Sequence, residues 1–314
     1  MRITWIGNHE EGIFAFRKTI EKNGVSAFVT LDEKAFGRMS AGSREYLDIC
    51  DKNNIPVYFV DTIKGDRAYE IISAEKPDLL VVLGWSEILP ERLLNIPTIG
   101  TVGTHASALP HNRGSAPINW ALIHGEKTTG NTMMWLTKDV DAGEIIDQIK
   151  FPITLFDTCK TLYERVAETN AEMMVSLIEA LKKGIIPKQS IENKSDEPIL
   201  PRRRPSDGIL CWNKSGKEIY DFIRALAKPY PGAFAFLNGK KYIIWKASVL
   251  PITSCEEPGT ILGMGYGYGD NGSGICVATN DNVIWITEIE DENGNCFFGQ
   301  SLYELDLKGE FKNE

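Results

Sequence analysis

Asp78-Leu79-Leu80-Val81-Val82-Leu83-Gly84-Trp85 is the stretch that decides the fold. Five consecutive apolar residues leave no polar face to turn toward water. A strand built from them is covered on both sides, as central strands of parallel sheets are. Toward the N-terminus, residues 2–6, 26–31 and 57–60 are further short apolar or β-branched runs. Between them, residues 12–23, 43–53 and 66–74 carry helical spacing, and Asn23-Gly24 supplies a helix stop. This alternation predicts an α/β domain, a Rossmann-like mostly parallel sheet with helices on both faces.

Toward the C-terminus, a strand is expected over 98–104, with His105 at its end. Ligands of open α/β sheets bind at that edge. A helix over 116–124 tolerates Pro117 in its first turn. Strands over 129–136 and 144–153 then flank Asp141. Leu162, Val166, Met173, Leu177 and Leu181 recur at helical spacing within 158–184, and Gly184 ends that helix.

Composition shifts over 186–206, a polar stretch with Arg202-Arg203-Arg204, which reads as a linker between residues 1–185 and residues 207–314. Beyond it, one helix over 217–227 precedes strands over 233–237, 241–249, 274–278 and 283–289. Turn signals stand at Asn238-Gly239, Asp281-Asn282 and Asn293-Gly294. A small β-barrel-like (OB-like) C-terminal domain is expected. Gly263-Met264-Gly265-Tyr266-Gly267-Tyr268-Gly269 sits in no βαβ unit, so it reads as a flexible hairpin loop and not as a dinucleotide loop.

With 43% hydrophobic and 25% charged residues, the chain has the make-up of a soluble globular protein. The apolar run after Met1 is too short for a signal peptide, and no run approaches the ~18 residues of a membrane span, so a cytoplasmic protein without membrane contact is expected. Six cysteines without a close pair suggest reduced thiols and neither disulfides nor a zinc site. A net charge of −9 argues against a polyanionic partner such as nucleic acid. The oligomeric state is open, a homodimer through the small domain included.

Of the four histidines, His9, His105, His111 and His124, only His105 falls where a sheet presents a side chain to substrate. A histidine poised by a carboxylate moves protons near neutral pH. Asp141 is the expected partner. Asp139, its neighbour, reads as a solvated turn residue.

The segment Gly103-Thr104-His105-Ala106-Ser107-Ala108-Leu109-Pro110, then Arg113-Gly114-Ser115-Ala116-Pro117, then Asp141-Ala142-Gly143, resembles the catalytic core of the N10-formyltetrahydrofolate-dependent formyltransferases. That family pattern is Asn-x-His-x-Ser-x-Leu-Pro, Arg-Gly-x-x-Pro and an Asp-x-Gly that completes an Asn/His/Asp triad. Residues 78–85 followed by Ile88-Leu89-Pro90 are similar to the family's folate-loop strand. Residues 207–212 and 223–234 resemble its C-terminal barrel domain, so the likeness spans essentially the whole chain. Residues 116–120 and 201–207 look closer to the branch that formylates nucleotide-linked amino sugars than to the branch that formylates initiator methionyl-tRNA. The tRNA branch usually carries a basic insertion after the second strand; here Asp32 and Glu33 balance Lys34, Arg38 and Arg44.

The resemblance implies N10-formyltetrahydrofolate as co-substrate, an amino-sugar nucleotide as acceptor and no metal. Methionyl-tRNA formylation is the alternative, and a catalytically impaired folate or nucleotide-sugar binder is the second. It places folate near Trp85, Ile88, Leu89, Pro90, Ser107, Asp139 and Asp141, mostly through backbone contacts. Trp85 can equally be core, and Ser107 a strand-end cap. Arg113 and Gly114 shape a loop over the substrates or form a plain surface turn. Arg203 meets a diphosphate or belongs to a solvated charge run.

His105 would take the amine proton, and Asp141 would fix its tautomer. The position of the triad asparagine is Gly103, which has no side-chain donor. Removing one oxyanion donor typically costs ~10²–10³ in rate. Three readings stay open: backbone N–H groups or the Thr104 hydroxyl substitute, Asn119 supplies an amide, or the chain only binds. Thr104 is the preferred donor.

Overall fold

A computed structural model describes residues 1–32, 44–189, 198–266 and 272–313. Glu33, Lys34, Arg38, the middle of the linker and Gly267-Tyr268-Gly269 lie outside the described residues. The chain divides into two compact units. The first is Met1–Pro117, Thr128–Pro152 and Thr161–Pro201; the second is Ile118–Lys127, Ile153–Lys160 and Arg202–Glu314.

The first unit is a seven-stranded sheet in the order β3-β2-β1-β4-β5-β6-β7. Its strands are β1 Ile3–Ile6, β2 Ala27–Leu31, β3 Val57–Val60, β4 Leu79–Val82, β5 Gly100–His105, β6 Thr128–Trp135 and β7 Ile145–Pro152. The first five pair in parallel, whereas β6 and β7 are antiparallel. Helices α1 Ile13–Lys22, α2 Glu45–Lys52, α3 Asp66–Glu75, α4 Glu91–Leu94 and α6 Cys159–Lys182 accompany them, while α5 Pro117–Ile123 falls almost wholly in the second unit. The strand order reverses between β1 and β4, which makes that point a topological switch.

Why these strands are central shows in their two faces. Trp5, Phe28, Val81, Val102 and Met133 pack with Phe16, Tyr46, Met173 and Leu177 from α1, α2 and α6. Ile6, Val29, Leu80 and Val82 pack with Ala68, Ile72, Leu93 and Leu94 from α3 and α4. Leu79, Leu80, Val81 and Val82 are all buried, as a strand covered on both sides requires.

The second unit contains α7 Gly216–Ala225, strands β8 Ala233–Leu237, β9 Lys240–Leu250, β10 Ile261–Tyr266, β11 Ser273–Ala278, β12 Val283–Asp291 and β13 Cys296–Phe298, then α8 Gly299–Glu304. The antiparallel order is β10-β11-β12-β9-β8, with β13 on β12. The segment expected as a flexible hairpin loop begins inside β10: residues 263–266 pair with β11. The two edge strands meet a common partner. Glu310 bridges Thr260 beside β10, and Lys312 bridges Phe236 in β8. Residues 309–312 thus pair toward both edges, and Phe311 is buried against Trp212 at 5.5 Å.

Candidate active site

Successive side chains of a strand point to opposite faces. His105 ends β5 opposite Thr132 of β6, and Thr104 stands opposite Met133. Met133 and Val102 belong to the face under α1, α2 and α6. Alternation therefore puts Gly103 and His105 on one face and Thr104 on the other. The structure does not bring the Thr104 hydroxyl to His105, which corrects the expectation that Thr104 supplies the donor.

The chain turns sharply after His105, and side chains from β6 and β7 pin the turn. Thr132 Oγ1 donates to the Ser107 carbonyl at 2.7 Å and accepts from Leu109 N–H at 3.2 Å. The Gln148 amide donates to the Leu109 carbonyl at 2.8 Å and to Thr132 Oγ1 at 2.9 Å. Ser107 Oγ donates to the His111 carbonyl at 2.7 Å, so this hydroxyl is spent on the turn. The sequence reading missed Thr132 and Gln148. Their signal was register, because Thr132 lies opposite His105 and Gln148 opposite Thr132.

Asp141 arrives on the loop after β6 with a left-handed backbone, φ +50°. Gly143 explains the Asp-x-Gly spacing: a Cβ there would collide with the Trp135 carbonyl, so only glycine lets the chain re-enter β7. One oxygen of Asp141, Oδ1, faces His105 Nδ1 at 3.4 Å, and Oδ2 accepts the Gly114 N–H at 2.9 Å. Arg113 Nη2 donates to the Val140 carbonyl at 2.8 Å, which ties the Arg-Gly loop to the Asp141 loop. On the other side of the ring, His105 Nε2 lies 2.8 Å from the Asn112 carbonyl. A carbonyl only accepts, so in this arrangement Nε2 carries a hydrogen. The two side chains are 9% and 14% exposed, nearly dry yet not sealed.

At Gly103, an added Cβ would lie 2.9–3.1 Å from Leu136 Cδ2, Cδ1 and Cγ. Leu136 thus occupies the space a side chain at 103 would enter. Asn119 is fully buried in the second unit, where its Nδ2 donates to the Ala225 carbonyl at 2.6 Å. Arg203, also in that unit, lies over the rings of Trp120 and Phe222 and donates to the Asp207 carbonyl. Burial lowers its pKa from the ordinary value. Its guanidinium is held by aromatic faces, not presented as part of a solvated charge run.

After β4, Trp85 is partly buried, with its Nε1 shielded and unpartnered. Ile88 is exposed, Leu89 is buried, and Pro90 caps the start of α4. Asp139 is exposed, and its carbonyl accepts from the Thr137 hydroxyl at 3.2 Å. At the turn between β1 and α1, burial pushes the Glu11 carboxyl up to about 7.

Comparison with known proteins gives the following. A family model described as formyl transferase matches residues 25–178, and one described as formyl transferase, C-terminal domain, matches residues 203–304. The chain is 33% identical over 295 residues to a methionyl-tRNA formyltransferase of Clostridium acetobutylicum, covering 92% of each chain. It is 39% identical over 212 residues to the bifunctional polymyxin resistance protein ArnA of Wigglesworthia glossinidia brevipalpis, matching 67% of this chain and 32% of that protein. The chain thus spans about a third of ArnA's length. Among solved structures, an N-formyltransferase from Helicobacter canadensis in complex with folinic acid and dTDP-3-aminofucose superposes with a TM-score of 0.63. The identity is 19%, covering 90% of this chain and 98% of that one.

Proposed function

The chain belongs to the formyl transferase family and is a formyltransferase, and from that premise we propose that it transfers the formyl group of N10-formyltetrahydrofolate to the primary amine of a nucleotide-linked amino sugar. The observation that carries the acceptor class is charge. The chain bears −9 over 314 residues, and its segment after the second strand mixes Asp32 and Glu33 with Lys34, Arg38 and Arg44 instead of forming a basic stretch. A tRNA acceptor asks for phosphate neutralisation, which such a chain supplies poorly. Methionyl-tRNA is the second reading, favoured by the names of relatives 30–33% identical over more than nine-tenths of the chain.

The residues present suit a folate. An exposed isoleucine, a buried leucine and a tryptophan with an unused N–H stand together after β4, apolar surface beside an unspent donor. When bound, this co-substrate supplies the formyl carbonyl. His105 is the proton-transfer group: its Nε2 faces the Asn112 carbonyl in the resting arrangement, and the acceptor amine takes that carbonyl's place. Once that carbonyl is displaced, the ring takes its other neutral tautomer: the Nε2 proton passes to solvent while Nδ1 gains one and donates it to Asp141, which leaves the Nε2 lone pair free for the amine proton. With Leu136 beside Gly103 and Thr104 on the far face, the donors left for the developing oxyanion are backbone N–H groups.

The test is turnover on a panel of UDP- and dTDP-linked amino sugars alongside methionyl-tRNA. Formylation of at least one amino sugar with a kcat/KM above that for methionyl-tRNA is expected. The reverse order overturns the acceptor class. His105→Ala should lower kcat by about 10³-fold with folding retained, and unchanged turnover removes His105 from the chemistry.

A further inference from the structure

The loop that holds the catalytic pair does not hold itself. Asn112 and Ala116 both carry left-handed backbones, φ +56° and +55°, a region asparagine visits readily but alanine rarely. Between these two residues the loop pairs with the segment Ile199-Leu200-Pro201, which belongs to the same unit although it is distant in sequence. Leu200 N–H donates to the Arg113 carbonyl at 2.7 Å, and Ser115 N–H donates to the Leu200 carbonyl at 3.0 Å. Gly114 forms a parallel bridge with Leu200 between these bonds. At Gly114 the fit is close: φ is +111°, and a Cβ would come 2.5 Å from the Leu200 carbonyl oxygen and 2.7 Å from its nitrogen.

Gly114 is also the residue whose N–H reaches Asp141 Oδ2, while Oδ1 faces His105. A continuous path therefore runs from the Leu200 backbone through the peptides of 113–115 to the Asp141 carboxylate and on to the imidazole. The last step is loose, at 3.4 Å, so its geometry depends on how firmly the earlier ones are fixed. Displacement of a reacting group by about 1 Å can cost ~10²-fold in rate.

We propose that Leu200 is a positioning residue for formyl transfer: its backbone N–H fixes the Arg113–Ser115 peptides, and through the Gly114 N–H it aims Asp141 at His105. The role lies in the backbone, not in the leucine side chain. It rests on the reading of His105 and Asp141 as the catalytic pair.

Leu200→Pro removes the N–H, whereas Leu200→Val keeps it and trims the side chain. With whichever amine acceptor the wild type formylates, Leu200→Pro should lower kcat by ~30–100-fold, leaving KM for both substrates within about threefold. Leu200→Val should keep at least about half of kcat. A kcat within about threefold of wild type for Leu200→Pro, or an equal loss for Leu200→Val, overturns the proposal. Hydrogen exchange on the wild type gives a second measurement that needs no variant. The Leu200 and Gly114 amides should open as one unit, and a Gly114 amide that stays protected while Leu200 exchanges freely overturns it as well. If His105→Ala is fully active, the catalytic pair itself is misread. If His105→Ala is dead and Leu200→Pro turns over like wild type, only the role of Leu200 fails.

Discussion

Two carboxylates in this chain, each facing a nitrogen-bearing side chain, are put to opposite ends. In the second unit, Asp221 is 2% exposed and binds Arg224 through Nε at 2.8 Å and Nη2 at 2.7 Å, with Lys217 on its other oxygen. Arg224 Nη1 is spent on the Thr154 and Asp157 carbonyls. Both carboxylate oxygens of Asp221, and three nitrogens of its arginine, are engaged. In the first unit, Asp141 faces its histidine at 3.4 Å, takes one backbone N–H, and remains partly open. A saturated pair has nothing left to offer a substrate, and its worth is structural. The unsaturated pair is held by backbone, and in the proposed mechanism its nitrogen trades a carbonyl for an amine. What separates the two is unspent hydrogen-bonding capacity, more than residue type.

Removing a partner from the saturated pair should have the largest effect. Asp221→Ala leaves Arg224 charged and buried, and loss of one member of a buried pair costs ~3–5 kcal/mol. Chemical denaturation should show that loss, with the rate per folded molecule little changed; a cost under about 1 kcal/mol would erase the contrast. Next comes the unsaturated pair. Asp141→Asn keeps shape and the Gly114 contact but can present an amide N–H to Nδ1, which favours the wrong tautomer. A fall in kcat of about 10²-fold is expected with melting unchanged, measured by steady-state turnover and circular dichroism.

The smallest effect sharpens the contrast with a carboxyl shifted by burial alone. Burial raises Glu11 to about 7 from an ordinary 4.5, so its protonated form is the one the fold favours. Its contribution to stability is complete below the ordinary value and is lost as pH rises through about 7. Glu11→Gln should therefore melt several degrees above wild type at pH 8 and within about a degree of it at pH 4.5. Equal melting at both pH values would show that this carboxyl ionises freely.

The parallel strands were legible because burial on two faces writes itself as an unbroken apolar run, as in β4. β10 was not, and the reason is long-range. An added Cβ at Gly265 would lie 3.2 Å from Trp285 Nε1, and one at Gly274 would collide with the same indole. Those glycines make room for a tryptophan on β12, yet in sequence Gly265 looks like a loop residue. In the candidate site, the pairing of His105 with Asp141 was legible from their motifs, and the two stand 3.4 Å apart. The period-two rule was also available for Thr104, which shares no face with His105. The Asn112 carbonyl and the N–H groups of Gly114 and Leu200 had no signature to read, since every residue carries a backbone carbonyl and every residue but proline an N–H.

The pairing of residues 309–312 toward both edges of the second sheet also has a meaning in time. During synthesis the chain emerges from the ribosome N-terminus first, and the edges of β8 and β10 are complete well before Phe311 exists. Until Glu310 and Lys312 arrive, both edges expose unpaired backbone, and the pocket that takes Phe311 beside Trp212 stays open to water. For the nascent protein this interval is the window in which an edge can pair with a neighbouring chain instead of its own. Residues 309–312 are the ones that close it.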